Sequence, residues 1–531
     1  MPPRKKRSPE EMKDILWRAA DKLRGSLDAA AYKHFVLGLV FLKYVSAAMA
    51  ERRRQLEAEL RAEGGWEEAG LLATLEERRE YTGSGVYYVP PAARWESVVD
   101  LARGTGGGAG IGEAIDSAMR AIEGYNPALL GTLPKIYGDS SVDGRRLADL
   151  VELLDRVVFQ EQSGGPGAPD VVGEVYEFFL ARFAASEGRR GGEFFTPASV
   201  VRLLVEVLGP REGERVYDPA CGSGGMFVQT AHSVRTHGGD WLNVAFYGQE
   251  RNATTWRLAH MNLAVHGIEA GLGTEPADVF RDDRHPDLKA QVALTAPPFN
   301  LSDWGGDFLA MDRRWVYGTP PVNNANYAWL QHTASKLAPG GRAGVVLANG
   351  SMSSRQSGEG DIRRAMLEAD LVACVIALPG QLFRTTAIPA CVWLLADGKG
   401  RGSVWARERG GEVLFVDARE LGFMADRTLR ELSDEEIVRI NDRVRAWRGE
   451  PGAGTYEDEP GFCASVPLSA IAEQDFVLTP GRYVGTAETA ADPDAEPPDA
   501  RVARLTALLR EQFAESERLA KAVDAQLRRV S

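Results

Sequence analysis

Three acidic residues and one small-residue loop are placed where they could do chemistry. Residues 216–228, VYDPACGSGGMFV, run from an apolar segment through Asp218 to Ser223, Gly224 and Gly225, then into a second apolar segment. This pattern predicts a strand, a tight turn and a helix start, with glycines that admit positive φ and let a ligand approach free backbone N–H groups. A carboxylate at the strand end repels a pyrophosphate, so the loop suits a ligand with a cationic or hydroxyl-rich end better than a dinucleotide. The plain alternative is a glycine-rich turn of any doubly wound sheet. Glu250 follows the strand-like segment 244–248, where an acid can accept hydrogen bonds from both hydroxyls of a ribose. Asp278, farther on, is suited to an adenine amine. Singly, each acid reads as a surface or capping residue; together, at or just beyond successive strand ends, they read as a nucleoside site.

Bringing these residues together requires a parallel sheet, and the pattern supplies one. Strands are expected at 216–218, 244–248, 291–295, 343–348 and 371–378, separated by helices at 252–266, 327–337 and 361–369. A helix over 199–208 precedes them. The apolar runs 390–395 and 413–416 can close the sheet as an antiparallel edge. The fold class is therefore α/β: a doubly wound, mostly parallel, Rossmann-like sheet. Upstream, residues 9–60 and 113–160 read as helices around a flexible loop at 104–112, and the Gly/Pro-rich stretch 163–169 reads as a linker. Downstream, the acidic, Pro-rich stretch 488–498 is a second linker. A charged helix over 501–530 then carries Val502, Leu505, Leu509, Leu519 and Val523 in a heptad-like stripe that Gln512 and Ser516 break. Packing on its own domain and pairing with another subunit both fit that helix. The expected divisions are a helical domain over 1–165, the sheet domain over 166–485, and a linker with an assembly helix over 486–531.

At 531 residues the chain has material for about three domains. Its formal charge of -13 argues against unaided nucleic-acid binding, which needs concentrated Lys and Arg. The Arg4–Arg7 cluster reads as a solvated tail, with a DNA or partner contact as the sharper alternative. Four scattered cysteines lack CxxC spacing, and the seven histidines show no metal-ligand spacing, so no disulfide framework and no metal site are expected. The longest apolar run, 35–42, falls short of a bilayer span, and no secretory signal is visible. A cytoplasmic protein without membrane contact is the expectation.

The motifs also resemble a known family. DPACGSGG at 218–225, GQE at 248–250 and APPFN at 296–300 look like successive motifs of adenine-specific, S-adenosylmethionine-dependent amino methyltransferases. GGEFFTP (191–197), MNLAVHGI (261–268), NANYAWLQH (324–332), LANGS (347–351), ALPGQLF (377–383) and LTPGRYVG (478–485) resemble the modification subunit of type I restriction-modification systems, as do AADKLRG and YKHFVLGLVFLKY near the N-terminus. The resemblance spans nearly the whole chain. It implies S-adenosyl-L-methionine as cofactor, with Glu193, Phe194, Phe195, Thr196, Pro197 and Ala198 folding over its methionine end. Ser223, Gly224 and Gly225 would approach it through backbone atoms, Asp218 and Asp278 would line its pocket, and Glu250 would hold its ribose. Phe194 and Phe195 also read as simple core aromatics, and Cys221 as a small packing residue. The implied partners are a specificity subunit that reads the DNA site, a second modification subunit, double-stranded DNA and, in some complexes, a motor-nuclease restriction subunit.

The resemblance breaks at one position. An adenine amine is a poor nucleophile because its lone pair is delocalised. Related enzymes draw it toward tetrahedral geometry with an Asn oxygen and the following Pro carbonyl, while an aromatic stacks on the flipped base. Pro297, Pro298 and Phe299 are present, but position 296 is Ala. Loss of one oriented acceptor costs roughly a hundredfold or more in rate. Asn300 is no substitute, since the family pattern already has Asn there. A naturally impaired member and a replacement of the motif Asn in an otherwise intact enzyme both fit, and the intact neighbouring motifs favour the second. Two other functions stay open: a protein or RNA amino methyltransferase, and a non-catalytic scaffold that binds cofactor and clamps DNA.

Overall fold

The computed structural model describes residues 17, 29–104, 110–139, 142–156, 176–180, 182, 196–383, 386, 388–400, 407–486 and 498–530. The Arg4–Arg7 cluster, the 163–169 linker, Glu193, Phe194, Phe195 and most of the 488–498 linker lie outside these residues.

The helical part is organised on one continuous helix, Ala29–Glu63, where the sequence suggested separate segments. Its apolar stretch is buried against the helices Trp95–Arg103, Ile111–Tyr125 and Gly144–Asp155. Gly38 makes the close approach: a Cβ there would sit 2.3 Å from the Tyr137 hydroxyl, which itself donates to the Phe35 carbonyl at 2.8 Å. The span His34–Glu63 is long and apolar enough to cross a bilayer, but most of its apolar stretch is buried in this core. Burial among helices accounts for its apolarity.

The sheet has nine strands in the order β11-β8-β6-β7-β5-β4-β1-β2-β3. They are β1 Arg215–Asp218, β2 Ala245–Gly248, β3 Ala270–Gly271, β4 Ala290–Thr295, β5 Leu337–Ala348, β6 Val372–Ala377, β7 Ala390–Ala396, β8 Glu412–Asp417 and β11 Cys463–Pro467. Between β8 and β11, Phe423–Met424 (β9) and Arg430–Glu431 (β10) form a separate ribbon. β1 through β5 pair in parallel, as do β6 and β8. The run at 390–395 is antiparallel as expected, but it is wedged between β5 and β6 rather than lying at an edge. Every residue of β7 is buried, as suits a strand with a neighbour on each side. The 413–416 run is also interior and parallel to β6; the antiparallel edge is β11.

Helices cover both faces. Ala198–Leu208, Gly225–Thr236 and Asp434–Arg448 pack on one, Asn326–Ser335 and Glu359–Glu368 on the other. The helix Ala253–Val265 joins the two parts of the fold: Leu258, Met261, Ala264 and Val265 enter the helical core, while Trp256, Ala259 and Leu263 enter the sheet core. The C-terminal helix is one piece, Pro498–Val530, and its side chains from 504 to 519 are all exposed.

Candidate active site

The chain order reverses between β4 and β1: from β1 it proceeds outward to β2 and β3, then returns to β4 on the other side. Loops leaving the C-terminal ends of these strands therefore open into one crevice. Asp218 ends β1 and is buried, its Oδ1 accepting the Ala220 N–H at 3.0 Å. The next residues are stitched to β2: Cys221 N–H donates to the Gln249 carbonyl at 3.0 Å, and Gln249 N–H to the Asp218 carbonyl at 3.1 Å. Gly222 and Gly224 take φ of 55° and 80°, left-handed values that favour glycine. Gly222 N–H donates to Glu250 Oε2 at 3.1 Å, and Asn252 N–H to Glu250 Oε1 at 2.7 Å. Among the described residues, a Cβ added to Gly222 or Gly225 meets nothing within 4 Å, whereas one on Gly224 meets Leu263 at 3.1 Å. Open space therefore lies over Gly222 and Gly225, while Gly224 is packed.

Asp278 is brought alongside by Gln249, which sequence reasoning quoted in GQE but gave no role. The buried Gln249 amide donates to the Ala277 and Asp282 carbonyls at 3.0 and 2.7 Å and accepts the Arg284 N–H at 3.0 Å. Ala277 N–H also donates to the Glu250 carbonyl at 3.0 Å. Within that turn, Asp278 Oδ1 accepts the Phe280 N–H at 3.0 Å. Asn262 Nδ2, from the MNLAVHGI motif, donates to the Ser223 carbonyl at 2.9 Å and anchors the glycine loop from behind. Thr196 and Pro197 lead into Ala198–Leu208, where the Pro197 carbonyl accepts the Val200 and Val201 N–H groups, each at 3.0 Å.

Burial pushes the Asp218 carboxyl up to about 7; the Ala220 N–H and Thr295 hydroxyl oppose this, and the Glu250 charge reinforces it. The Cys221 thiol is raised well above its ordinary value by burial first, then by Asp218 and Glu250. It is thus a packed thiol rather than a nucleophilic thiolate.

On the other side of β1, β4 leads into Ala296, Pro297, Pro298 and Phe299. Ala296 is half-buried against the sheet core. Phe299 is 9% exposed, its ring meeting Phe383 edge-on at 5.3 Å. Asn300, with φ 53°, is held by Asn326, which was quoted in NANYAWLQH without a role. Its N–H donates to Asn326 Oδ1 at 3.1 Å and its Oδ1 accepts Asn326 Nδ2 at 2.8 Å. Asn324 Oδ1 in turn accepts the Asn326 N–H at 2.9 Å. The amide of Asn300 is thus engaged in holding its own loop.

A family model described as N-6 DNA Methylase matches residues 167–492, and one described as HsdM N-terminal domain matches 12–154. The chain belongs to the N-6 DNA methylase family. Within the family, it is similar to the type I restriction enzyme HindI methylase subunit of Haemophilus influenzae, 47% identical over 81% of this chain and 97% of that relative. The MjaIX methylase subunit of Methanocaldococcus jannaschii is 35% identical over 90% of this chain and 84% of its own length. Among solved structures, the type I restriction-modification methyltransferase subunit from Streptococcus thermophilus superposes with a TM-score of 0.73 at 25% identity, over 90% of this chain and all of that one. This member of the N-6 DNA methylase family is an adenine-specific DNA methyltransferase of the type I modification-subunit kind.

Proposed function

We propose that the chain directs a methyl group from S-adenosylmethionine to the exocyclic amine of an adenine flipped from duplex DNA, with the cofactor across the ends of β1, β2 and β3 and the base against 296–299. The observation that carries this reading is the Gly222–Glu250 hydrogen bond beneath open space at Gly222 and Gly225, a cradle that an added Cβ would fill. Glu250 would accept from the ribose hydroxyls, and Asp278 would accept from the cofactor's adenine amine. Ser223, Gly224 and Gly225 would present backbone to the methionine end, beside the buried Asp218. Glu193, Phe194, Phe195, Thr196, Pro197 and Ala198 would cover that end. The bound cofactor supplies the electrophilic methyl group.

On the base side, the Pro297 carbonyl would accept one hydrogen of the target amine, with Pro298 and Phe299 shaping the slot. Ala296 offers no second acceptor, so transfer is slow while cofactor binding is kept. Calorimetry tests the cofactor half: the parent chain binds S-adenosylmethionine, and Glu250→Ala weakens it more than tenfold. Equal affinity in the two proteins, or none in the parent, overturns the reading. Ala296 also supports a second reading, a cofactor-binding DNA clamp without transfer.

The partners follow from charge and exposure. A chain with formal charge -13 needs help to hold DNA. Among the described residues, nothing covers the exposed Leu505, Leu508, Leu509, Phe513, Leu519 and Val523 of the C-terminal helix's apolar stripe. A specificity subunit, a second modification subunit and, in larger assemblies, a motor-nuclease subunit would be its neighbours, with this helix as one docking element.

A further inference from the structure

Arg314 links the two halves of the site. It lies in the 301–325 segment that leaves the base-side motif, and its side chain is only 10% exposed. A guanidinium has five N–H donors, and here five acceptors meet them. Nε donates to Asp312 Oδ1 at 2.8 Å; Nη2 donates to Asp312 Oδ2 and the Phe280 carbonyl, both at 2.7 Å. Nη1 donates to the Val279 carbonyl at 3.0 Å and to His332 Nδ1 at 3.1 Å.

Arginine cannot accept a hydrogen bond, so His332 Nδ1 must. The neutral ring therefore carries its proton on Nε2 and donates it to the Tyr217 hydroxyl, 3.0 Å away. Burial, then the charges of Arg314 and Lys336, hold His332 well below its ordinary value, as a neutral ring requires. Val279 and Phe280 directly follow Asp278, and Tyr217 directly precedes Asp218. The aromatic cluster of Phe280, Trp304, Trp315 and Trp329 packs the surroundings, with the guanidinium 5.2 Å from the Trp315 ring centre and 5.9 Å from that of Phe280.

We propose that Arg314 is a positioning residue for the cofactor's adenine: from the base-side segment it fixes the turn 278–280, so that the purine pocket is completed by the chain that follows the target-base motif. This rests on Asp278 accepting from the adenine amine. Lysine, with three donors on a point charge, cannot reproduce the planar set of contacts. Loss of Arg314 leaves Asp278 able to wander from its acceptor geometry, so the protein loses the ability to tell an amine from an oxygen at that position of the purine.

The test is calorimetric binding of S-adenosylhomocysteine and S-inosylhomocysteine, which carries oxygen in place of the amine, to the parent chain, Arg314→Lys and Asp312→Asn, with a thermal midpoint for each. The parent should prefer the adenosyl compound by about a hundredfold or more, as a site built on hydrogen bonds to an amine does. Arg314→Lys should bring that ratio below tenfold. Asp312→Asn, which loosens the guanidinium while leaving it buried, should fall between and carries the test if the lysine variant fails to fold. General destabilisation lowers the midpoint but does not change the ratio. A parent that binds neither compound, or does not discriminate, overturns the Asp278 reading and this inference with it. A discriminating parent with an equally discriminating folded variant overturns this inference alone.

Discussion

Asp218 is ionisable and buried where the cofactor is expected, and its proton is linked to stability. Burial, the largest influence, raises its carboxyl to about 7, so the folded protein holds that proton more tightly than the unfolded chain does. The contribution is full below about pH 4 and is lost as the pH rises through 7, an effect on the order of 4 kcal/mol. Asp218→Asn, which keeps an acceptor for the Ala220 N–H, should therefore be more stable than the parent at pH 8, with the difference shrinking toward pH 4 in denaturant unfolding. A pH-independent difference would contradict this. Asp218, Glu250 and Asp278 could be picked out in the sequence because each lies at or after a strand end. Gln249, Asn326 and Arg314 could not, because their roles depend on partners 28 to 35 residues away for Gln249, 26 for Asn326 and as many as 35 for Arg314. Only the fold brings those groups into hydrogen-bonding range.

The glycine turn and the strands around it are the elements that make the cradle. Gly225 opens a helix with no described residue within 4 Å of a Cβ added to it, and its φ is not left-handed, so Gly225→Ala should leave stability within about 1 kcal/mol of the parent. The same methyl group enters the space assigned to the cofactor, and S-adenosylmethionine affinity should fall more than tenfold. Unchanged affinity in a folded variant would remove the cofactor from this loop. The central strands were legible because buried parallel strands read as continuous apolar runs bounded by turns. The position of β7 was not, since an apolar run signals burial but not which neighbours it pairs with. β3, two residues long, has too few side chains to show a pattern. The helix Asp434–Arg448 did carry a signal that went unread: Ser433 and Glu436 form a capping box.

At the scale of the molecule, the chain combines a self-sufficient core with a terminal helix that has no intramolecular cover among the described residues. Removing residues 501–531 should weaken assembly with the specificity subunit on a sizing column while leaving cofactor affinity intact; unchanged assembly would assign that helix elsewhere. The helical layer is tied to the sheet by the two-faced Ala253–Val265 helix, which also anchors the glycine loop through Asn262, so a partner docking on that layer is mechanically close to the proposed cofactor site. The central claim is that the cofactor side is intact and the base side lacks one acceptor at Ala296. The direct measurement is methyl transfer to duplex DNA in the presence of the specificity subunit, comparing the parent with Ala296→Asn at matched cofactor occupancy. The Asn form should be faster by roughly a hundredfold or more with cofactor affinity unchanged; equal rates, or no transfer by either form in an assembled complex, would contradict the claim.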